Sequence, residues 1–514
     1  MVYTSEQALD YPADATITNL ILDYNPRNTP AQKPAVIDGP TGKVIYTYES
    51  LRLAVRRFAK YLQEELQLVR GTVVGVLAFN TVHFPVYVHS ILAAGGVVSA
   101  LNPFHLPQEL AHALSLGKPQ HVLVGDGLLP NLQAACKLLR QPQRQPKVHF
   151  VSLGNPTEAV HCIDFLNIAQ NGDAKFKAPT YSAKVVAKEL AFICFSSGTS
   201  GLPKAVQLSH GNIVANGSPI VVFPKFDLPS LLASIKRDRI THINVVPPIA
   251  LQLLNNTISA TADFSTVKTL MNAAAPLEQS LAERLCQRLG CTLTQWYGLT
   301  EASPSVISQR SDQVHIKGTV GKLLPGITMK ILDEAENEVK NGTPGELCVS
   351  GPNIMQGYLG DTKLTSQTIK PDGFMKTGDI GYVDDAGYVF LVDRLKEMIK
   401  VKGNQVAPAE LEAILRNHPL VDDAAVRGEH VPEEATDIPV AYITTRIPPH
   451  EHEALFDDVL GFVNKQVASY KRIRRGIIVV DQIPRNAGGK ILRRMLPGRH
   501  VPVAGLARAR EVKL

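Results

Sequence analysis

Several features that would mark a specialised class of protein are missing from this 514-residue chain. Aromatic residues make up 6% of it, with a single tryptophan, and the sequence has no internal repeat or low-complexity tract. The most apolar window, residues 86–101, contains two glycines and polar residues and is too short to span a bilayer. Hydrophobic residues at 45% and charged residues at 19% exclude a disordered chain, a coiled-coil rod and a collagen-like fibre. The chain is therefore globular and long enough for about three units of ordinary domain size.

Metal-binding and secretion signals are also missing. The six cysteines form no CxxC pair and have no histidine at zinc spacing, which favours buried thiols in a reducing compartment. The first 13 residues contain no basic segment followed by an apolar stretch, so they do not indicate a secretory signal. A net charge of +6 over this length is too small to indicate binding to nucleic acid. We expect a cytoplasmic protein with no nucleic-acid partner and no transmembrane segment. Peroxisomal import is the alternative, because Val512-Lys513-Leu514 resembles a degenerate peroxisomal tripeptide.

The first third of the chain alternates apolar strand-length runs with helical stretches. Strands are predicted near residues 73–79, 97–98, 121–124 and 191–195, and helices over about 81–94 and 107–116. Because the strands are apolar throughout, the pattern favours a parallel sheet covered on both faces. The predicted fold class is α/β, with stacked sheets in a large N-terminal part.

The composition and pattern of the sequence change twice after this part. After Gly318, glycine and turn residues recur every eight to twelve positions between short β runs, which predicts a β-rich lobe. From about Asp393 a basic stretch, a helix over 408–417 and mixed α/β sequence follow, which predicts a small α+β C-terminal domain. The boundary is expected at residues 393–396.

The segment after the strand at 191–195 carries the first functional signal. Ser196-Ser197-Gly198-Thr199-Ser200-Gly201-Leu202-Pro203-Lys204 combines hydroxyls, two glycines and a lysine, a composition that suits phosphate oxygens. A Ser/Gly-rich surface loop would have the same composition. It is not a Walker A loop, because the glycine spacing differs and Ala205 follows the lysine.

This segment resembles the phosphate loop of the adenylate-forming superfamily, which includes acyl-CoA synthetases and 4-coumarate–CoA ligases. Three further motifs of that superfamily appear in order: Tyr297-Gly298-Leu299-Thr300-Glu301, then Lys376-Thr377-Gly378-Asp379 with Asp393-Arg394-Leu395-Lys396, and finally Asn486 to Arg494 around Lys490. The stretch Lys396 to Glu412 is most similar to the 4-coumarate–CoA ligase-like branch. The resemblance covers nearly the whole chain.

The resemblance implies a Mg²⁺-dependent ligase with two half-reactions. A carboxylic acid attacks the α-phosphorus of ATP and releases pyrophosphate, and the thiol of coenzyme A then attacks the acyl-adenylate. The implied organisation is an AMP-binding domain over 1–392, a hinge at 393–397 and a mobile lid over 398–514. The implied partners are a small-molecule acid and coenzyme A; the acid and the oligomeric state are not indicated by the sequence.

The resemblance also assigns roles to individual residues. The implied catalytic residues are Lys490, Thr300 and Lys400. Lys490 would bridge the carboxylate and the α-phosphate, and Lys400 would lie on the face of the C-terminal domain that lines the path of coenzyme A. The nucleotide and coenzyme A set is Ser196, Ser197, Gly198, Thr199, Ser200, Gly201, Lys204, Ala274, Ala275, Tyr297, Gly298, Thr300, Glu301, Asp379, Arg394, Lys400, Gly403, Gln405 and Lys490. Within it, Tyr297 would stack on adenine, Asp379 would bind the ribose diol and Arg394 would contact ribose or phosphate. Mg²⁺ would be held by Glu301 and Thr199, since carboxylate and hydroxyl oxygens suit a hard cation.

The sequence departs from the superfamily in the acyl pocket. Only a short connection joins His210-Gly211-Asn212 to Pro224, where relatives have several tens of residues with a Pro-x-x-His-type motif. A mispredicted exon boundary, an inactive paralogue and a true variant with a reshaped pocket remain open. Ala273 and Trp296 stand where glycines are common, and the small Gly298 would leave depth for a bulky acid. The bulky indole of Trp296 would either narrow the nucleotide wall or be accommodated by the missing segment. The alternatives to a ligase are therefore an impaired nucleotide-binding paralogue and a stand-alone enzyme that loads a carrier protein.

Overall fold

The structure is a computed structural model in which an α/β body of three main sheets carries a smaller C-terminal α+β unit. It describes residues 1–6, 14–23, 28–139, 145–152, 162–196, 203–213, 220–222, 226–273, 277, 279–395, 397–401, 404–431, 436–474, 476–485 and 489–497. Across those ranges no helix has the length and apolarity needed to cross a membrane. The predicted α/β class with a large N-terminal part and a small C-terminal part is confirmed.

The first sheet has eight strands in the order β19-β10-β9-β5-β4-β6-β7-β8. Their bounds are β4 Val73–Leu77, β5 Val97–Leu101, β6 His121–Val124, β7 Lys147–Ser152, β8 Cys162–Asp164, β9 Leu190–Ser196, β10 Lys204–Ser209 and β19 Gly357–Tyr358. Strands β4 to β9 pair in parallel, as the apolar runs predict. Strands β10 and β19 add antiparallel pairs at one edge.

The second sheet has five strands in sequence order. These are β12 His242–Val245, β13 Thr269–Asn272, β14 Thr292–Gly298, β15 Ser305–Ser308 and β16 Lys322–Leu323. The first three are parallel and the last two antiparallel. A small sheet of β2 Pro34–Asp38, β3 Val44–Thr47 and β11 Ile220–Val222 lies apart from it.

The third sheet is the predicted β-rich lobe, and all its strands are antiparallel. It comprises β17 Thr328–Leu332, β18 Gly345–Ser350, β20 Met375–Val383 and β21 Val389–Arg394, with β1 Val2–Thr4 at its edge. The sequence pattern gave no sign of β1. Its side chains are mostly exposed, so it lacks the alternation that marks a half-buried strand.

The helices cover the sheets and join their strands. Their bounds are α1 Ile17–Leu22, α2 Tyr48–Glu64, α3 Phe84–Ala93, α4 Pro107–Gly117, α5 Leu129–Lys137, α6 Phe165–Asn171, α7 Ala183–Val186, α8 His210–Ile213, α9 Leu228–Asp238, α10 Pro247–Asn255, α11 Thr257–Ala260, α12 Gln279–Leu289, α13 Thr362–Thr368, α14 Pro408–Arg416 and α15 His452–Asn464. Three of them, α4, α10 and α14, begin with proline at a first-turn position, where the missing N–H has no helical partner to lose.

The C-terminal unit packs α14 and α15 against a three-stranded sheet. Its strands are β24 Asp423–Val431, β25 Thr436–Thr444 and β26 Ile477–Val479, and a hairpin of β22 Ile399–Val401 and β23 Asn404–Val406 precedes them. A core cluster here draws only on residues after 398, including Val401, Leu411, Val426, Val459 and Ile477. The domain boundary and hinge predicted from the sequence stay predictions.

Candidate active site

The three sheets of the body meet around one hydrophobic cluster. Side chains from β10, from β14 and β15, and from β17, β18 and β20 pack together in it, among them Val206, Tyr297, Ile307, Met329 and Met375. Because each sheet contributes one edge or end to this cluster, polar side chains at its margin come from distant parts of the sequence. Those side chains form the candidate site.

Strands β9 and β10 form a hairpin whose tip is the Ser/Gly-rich segment. Ser196 pairs with Lys204 in the antiparallel register. Both predicted phosphate-binding residues therefore stand at the end of the hairpin where the connecting segment begins and ends. The ammonium nitrogen of Lys204 lies 5.0 Å from the centre of the Tyr358 ring on β19. Such a cation–π contact holds the lysine at the tip. Ser197, Gly198, Thr199, Ser200 and Gly201 lie outside the described residues.

The same tyrosine reaches the acidic residue of the second motif. The Tyr358 hydroxyl donates a hydrogen bond of 3.0 Å to Oε1 of Glu301, which lies in a 3₁₀ turn over Thr300–Ala302 after β14. Burial raises the pKa of Tyr358, with the charge of Glu301 adding to the effect, so the phenol keeps its proton and remains a donor. The Asn353 amide donates to the backbone oxygens of Ala302 and Ser305, at 2.8 and 2.7 Å, which fixes the turn.

A second polar group lies where β14 meets β20 and β21. The Tyr297 hydroxyl donates to Oδ2 of Asp379 over 2.7 Å, and Arg394 Nε lies 3.1 Å from Oδ1 of the same carboxylate. Asp379 and Arg394 are also opposite each other in the β20–β21 register. Burial raises the pKa of Asp379, and Arg394 and the Tyr297 hydrogen bond oppose that rise. The carboxylate is thus held in place by two fixed donors.

Lys490 of the C-terminal unit is within electrostatic range of this group. Its ammonium is 3.8 Å from Oε1 of Glu397, and its charge interacts with those of Asp379 and Arg394. Burial lowers the pKa of Lys490, the positive charge of Arg394 lowers it further, and Glu397 and Asp379 oppose the change. The lysine of the last motif is therefore close enough to the aspartate of the third for their charges to interact.

Glu397 links Lys490 to α14 and β24 through Arg493. It pairs with Arg493, whose other guanidinium nitrogen lies 2.6 Å from the buried carboxylate of Glu412 on α14. Arg493 Nε also donates to the backbone oxygen of Val426 at 2.9 Å. Because the guanidinium is planar and presents its donors in a fixed fork, this network fixes the position of Glu397. The loop that carries Lys490 is thereby tied to α14 and β24.

Two parts of the chain match known protein families. Residues 22–219 and 213–359 match the family described as AMP-binding enzyme, and residues 410–490 match the family described as AMP-binding enzyme C-terminal domain. Together these matches take in well over half of the chain. The chain belongs to the AMP-binding enzyme family. By class it is an AMP-forming acid–thiol ligase, and enzymes of this class use ATP, Mg²⁺ and coenzyme A.

Curated relatives resemble this AMP-binding enzyme along most of its length. It is 32% identical to 4-coumarate–CoA ligase 1 of Oryza sativa subsp. japonica, over 91% of this chain and 89% of that protein. It is 33% identical to a probable 4-coumarate–CoA ligase 3 of Dictyostelium discoideum, over 90% of this chain and 91% of that protein. Solved structures share the fold at lower identity. An anthranilate CoA ligase in complex with anthranoyl-AMP has a TM-score of 0.82 at 22% identity, covering 94% of this chain and 96% of that one.

The comparisons also bear on the short connection after α8. The alignment with the rice protein runs over 520 residues but takes in 91% of these 514, so about fifty of its positions have no counterpart here. The family match breaks into two pieces that meet at residues 213–219. The break in the family match therefore coincides with the connection that the sequence showed to be short.

The residues present fit a magnesium ion that arrives with the nucleotide. Among the described residues no group of three or more His, Cys, Asp or Glu side chains could hold a metal by itself. Mg²⁺ is commonly bound by one or two carboxylates together with substrate phosphates. Glu301, held by Tyr358 at 3.0 Å and facing the Lys204 side of the site, supplies one such carboxylate. Thr199, the second predicted ligand, lies outside the described residues.

Several other predicted residues remain untested. Ala274, Ala275 and Gly403 lie outside the described residues, as does the hinge residue Lys396. Lys400 and Gln405 are opposite each other in the β22–β23 hairpin, but their side chains are not described. The assignment of this hairpin to coenzyme A stays a prediction.

Two residues near the motif on β14 differ from expectation. A Cβ on Gly298 would lie 2.0 Å from the backbone oxygen of Pro304, so the missing side chain makes room for a neighbouring backbone and not for a bulky acid. The Trp296 indole donates to Thr294 at 3.2 Å, on the strand face opposite Tyr297. Trp296 therefore does not narrow the face of β14 that carries Tyr297, in contrast to the expectation that it narrows the nucleotide wall.

Replacing Gly298 by alanine should lower the free energy of unfolding by about 1–3 kcal/mol, because the added methyl group overlaps a backbone oxygen. The matched control is Gly461→Ala in α15, where a Cβ meets no atom within 4 Å and alanine is the better helix former. Urea unfolding of both variants tests this. Equal midpoints for the two would contradict the close approach at Gly298.

Replacing Glu397 by glutamine should move the alkaline limb of the adenylation rate to lower pH. The cationic form of Lys490 is the one that stabilises phosphate charge, so the rate falls as pH rises through the pKa of Lys490. Glu397 raises that pKa, and its removal therefore lowers it. The measurement is the pH profile of ATP–pyrophosphate exchange. The control variant, Glu410→Gln, removes an ion pair with Lys471 in the C-terminal unit and should leave the alkaline limb at the same pH. An alkaline limb that is unchanged in Glu397→Gln would contradict the pairing of Glu397 with Lys490.

Proposed function

We propose that this chain, with its short connection, forms an acyl-adenylate from an aromatic carboxylic acid and transfers the acyl group to coenzyme A. The observation that supports this most is that the ion pair of Asp379 and Arg394 lies within electrostatic range of Lys490. The choice of an aromatic acid follows the names of the relatives, 4-coumarate–CoA ligases, and of structural neighbours such as an anthranilate CoA ligase.

The roles proposed for the nucleotide site follow from charge and hydrogen bonding. Asp379, fixed by Tyr297 and Arg394, can accept hydrogen bonds from two ribose hydroxyls, since a carboxylate has several acceptor positions. Lys204 and the hairpin tip face the terminal phosphates, and Thr300 precedes the carboxylate that meets Mg²⁺. Adenine stacking by Tyr297 remains a proposal. The Tyr297 side chain is only 8% exposed, and its hydroxyl already donates a hydrogen bond to Asp379.

The proposed mechanism relies on electrostatic stabilisation by Lys490. As a carboxylate oxygen attacks the α-phosphorus, negative charge increases on the non-bridging oxygens and the bond to pyrophosphate breaks. An ammonium that is already half buried and held by Glu397 stabilises that charge without reorganising first. Bound Mg²⁺ would offset charge on the leaving pyrophosphate at Glu301. In the second half-reaction, the C-terminal unit rotates at the hinge, and Lys400, Gly403 and Gln405 meet coenzyme A.

A nucleotide-binding protein without ligase activity is the second candidate. It is favoured by one observation, the absence of about fifty positions that the rice relative has. Such a protein would bind ATP through Asp379 and the hairpin tip but would not bind an acid productively. A stand-alone enzyme that loads a carrier protein is the third, and it predicts adenylation without thioester formation on free coenzyme A.

The test is to incubate the chain with ATP, Mg²⁺, coenzyme A and a panel of aromatic and medium-chain acids. The proposal expects aryl-CoA and AMP in equal amounts. A matched chimera carries the rice relative's segment in place of residues 214–223. Activity in the chimera with none in the natural chain would refute the proposal and support the second candidate. Pyrophosphate exchange without aryl-CoA would support the third.

We also propose that Val512-Lys513-Leu514 is a weak peroxisomal address on a protein that otherwise remains in the cytoplasm. The support is a basic residue followed by a final leucine, as in Ser-Lys-Leu, and the address is weak because Val512 stands where a small residue is expected. Expression with a fluorescent protein at the N-terminus should give partial co-localisation with a peroxisomal marker. Deletion of Leu514 should abolish it, and identical distributions of the two forms would refute the address.

A further inference from the structure

Two of the six cysteines are neighbours at the end of a helix remote from the nucleotide site. Cys286 lies in the last turn of α12, and Cys291 immediately precedes β14. Gly290 between them has a φ of +65°, the left-handed conformation in which helices commonly end. The backbone N–H groups of Gly290 and Cys291 both donate to the Cys286 oxygen, at 2.9 and 3.3 Å.

This helix end explains why the two side chains meet. The bond from Cys291 to the Cys286 oxygen is the six-to-one hydrogen bond of a Schellman motif, in which the first and last residues of the turn also make a side-chain contact. Here the two residues are cysteines, and both side chains reach the same cavity. The interaction between the two thiols lowers the pKa of Cys286 and raises that of Cys291. Cys286 is thus the better nucleophile of the two.

The pair opens on a cavity. Both cysteines are half-buried, and both line a space of about 210 Å³ that also contacts Gln279, Glu283 and Lys317. Glu283 and Lys317 form an exposed ion pair at this cavity, so groups of both charges can be met there. By contrast, Cys348 is fully buried, and burial raises the pKa of Cys194 to about 11.

We propose that Cys286 and Cys291 form a reversible redox pair that exchanges with a small zwitterionic disulfide, the class to which glutathione disulfide belongs. The Cys286 thiolate attacks one sulfur of that disulfide, whose S–S bond breaks to release one thiol carrying the proton that Cys286 lost. Cys291 then gives up its proton and displaces the second thiol. The protein loses two electrons and two protons, and the small disulfide becomes two thiols.

The pair is separate from the ligase chemistry. Cys291 precedes the first residue of β14, whereas Tyr297 and the Glu301 turn lie at the other end of that strand. The thiol exchange can therefore be measured without any assay of adenylation. Failure of one proposal is distinguishable from failure of the other.

The experiment equilibrates the full-length protein with glutathione and excess glutathione disulfide and maps its tryptic peptides without reduction. Trypsin cleaves after Arg284, Arg288 and Arg310, so the two cysteines fall in separate peptides that only a disulfide joins. The proposal predicts this joined pair of peptides, loss of two titratable thiols, and reversal by dithiothreitol. Cys291→Ser should stop at a mixed disulfide with one glutathione on Cys286, and Cys286→Ser should form neither product.

Cys162→Ser is the matched control, since Cys162 is also half-buried but lies on β8 of the first sheet. It should leave the joined peptides unchanged. The proposal is overturned if the joined peptides are absent while maleimide labels both cysteines of the native protein, or if Cys162 is oxidised at the same glutathione ratio. Stable folding of each serine variant is checked by its thermal unfolding.

Discussion

Replacing Lys490 by alanine should reduce ATP–pyrophosphate exchange by about 100- to 1000-fold, the range found when one preorganised donor to a developing oxyanion is removed. The side chain is half-buried beside Asp379 and Arg394, so water can replace its charge only poorly. The loss should appear mainly in the maximal rate, because the ammonium interacts most strongly when charge increases at the α-phosphate. Transfer from a supplied acyl-adenylate to coenzyme A should stay within a few-fold of the parent.

The control for this variant is Lys465→Ala. Lys465 is exposed at the end of α15, on the same C-terminal unit, and carries the same charge. It should exchange pyrophosphate at the parental rate. Exchange by Lys490→Ala that matches Lys465→Ala would remove Lys490 from the adenylation step. Equal loss in both half-reactions would instead show that the substitution damages the fold of the unit.

Replacing Glu301 by glutamine should reduce adenylation by on the order of 100-fold and raise the Mg²⁺ concentration needed for half-maximal rate. Glutamine keeps the size of the side chain and can still accept the hydrogen bond from Tyr358. What it loses is the negative charge that a hard cation prefers among its oxygen ligands. The measurement is a Mg²⁺ titration of pyrophosphate exchange at fixed ATP.

Tyr358→Phe separates the charge of Glu301 from its placement. It removes the 3.0 Å hydrogen bond while leaving the carboxylate and the ring beneath Lys204. A hydrogen bond to a charged group contributes about 1.5–3 kcal/mol, which corresponds to a loss of roughly 10- to 150-fold. A Mg²⁺ requirement unchanged in Glu301→Gln would contradict the assignment of this carboxylate to the metal.

Local patterns in the sequence were sufficient for the parallel part of the first sheet. The strand at His121–Val124 was predicted with its observed bounds, and the helix at 408–417 differs from α14 by one residue. These elements have continuous apolar runs or a proline at the first turn, so short stretches of sequence specify them. The order of the four motifs likewise predicted the family, which the comparisons confirmed.

Contacts between distant residues were not predictable in the same way. Tyr358 meets Glu301 across 57 positions, and Arg493 meets Glu397 across 96. Tyr358 stands in none of the four motifs, and Glu397 lies in the stretch Lys396 to Glu412 with no role assigned to it. The role of each arises only when separate parts of the chain pack together. Gly298 shows the same limit. The sequence suggested space for a substrate, whereas the fold fills that space with the backbone of Pro304.

The proposal that Asp379 binds the ribose close to Lys490 can be tested by affinity labelling with the 2′,3′-dialdehyde of ATP, followed by borohydride reduction and peptide mapping. Each aldehyde replaces a ribose hydroxyl and reacts with an amine next to it. If Asp379 binds the ribose with Lys490 beside it, the label should fall on Lys490, and ATP should protect it. Labelling confined to exposed lysines, or labelling of Lys490 that ATP leaves unchanged, would contradict the site.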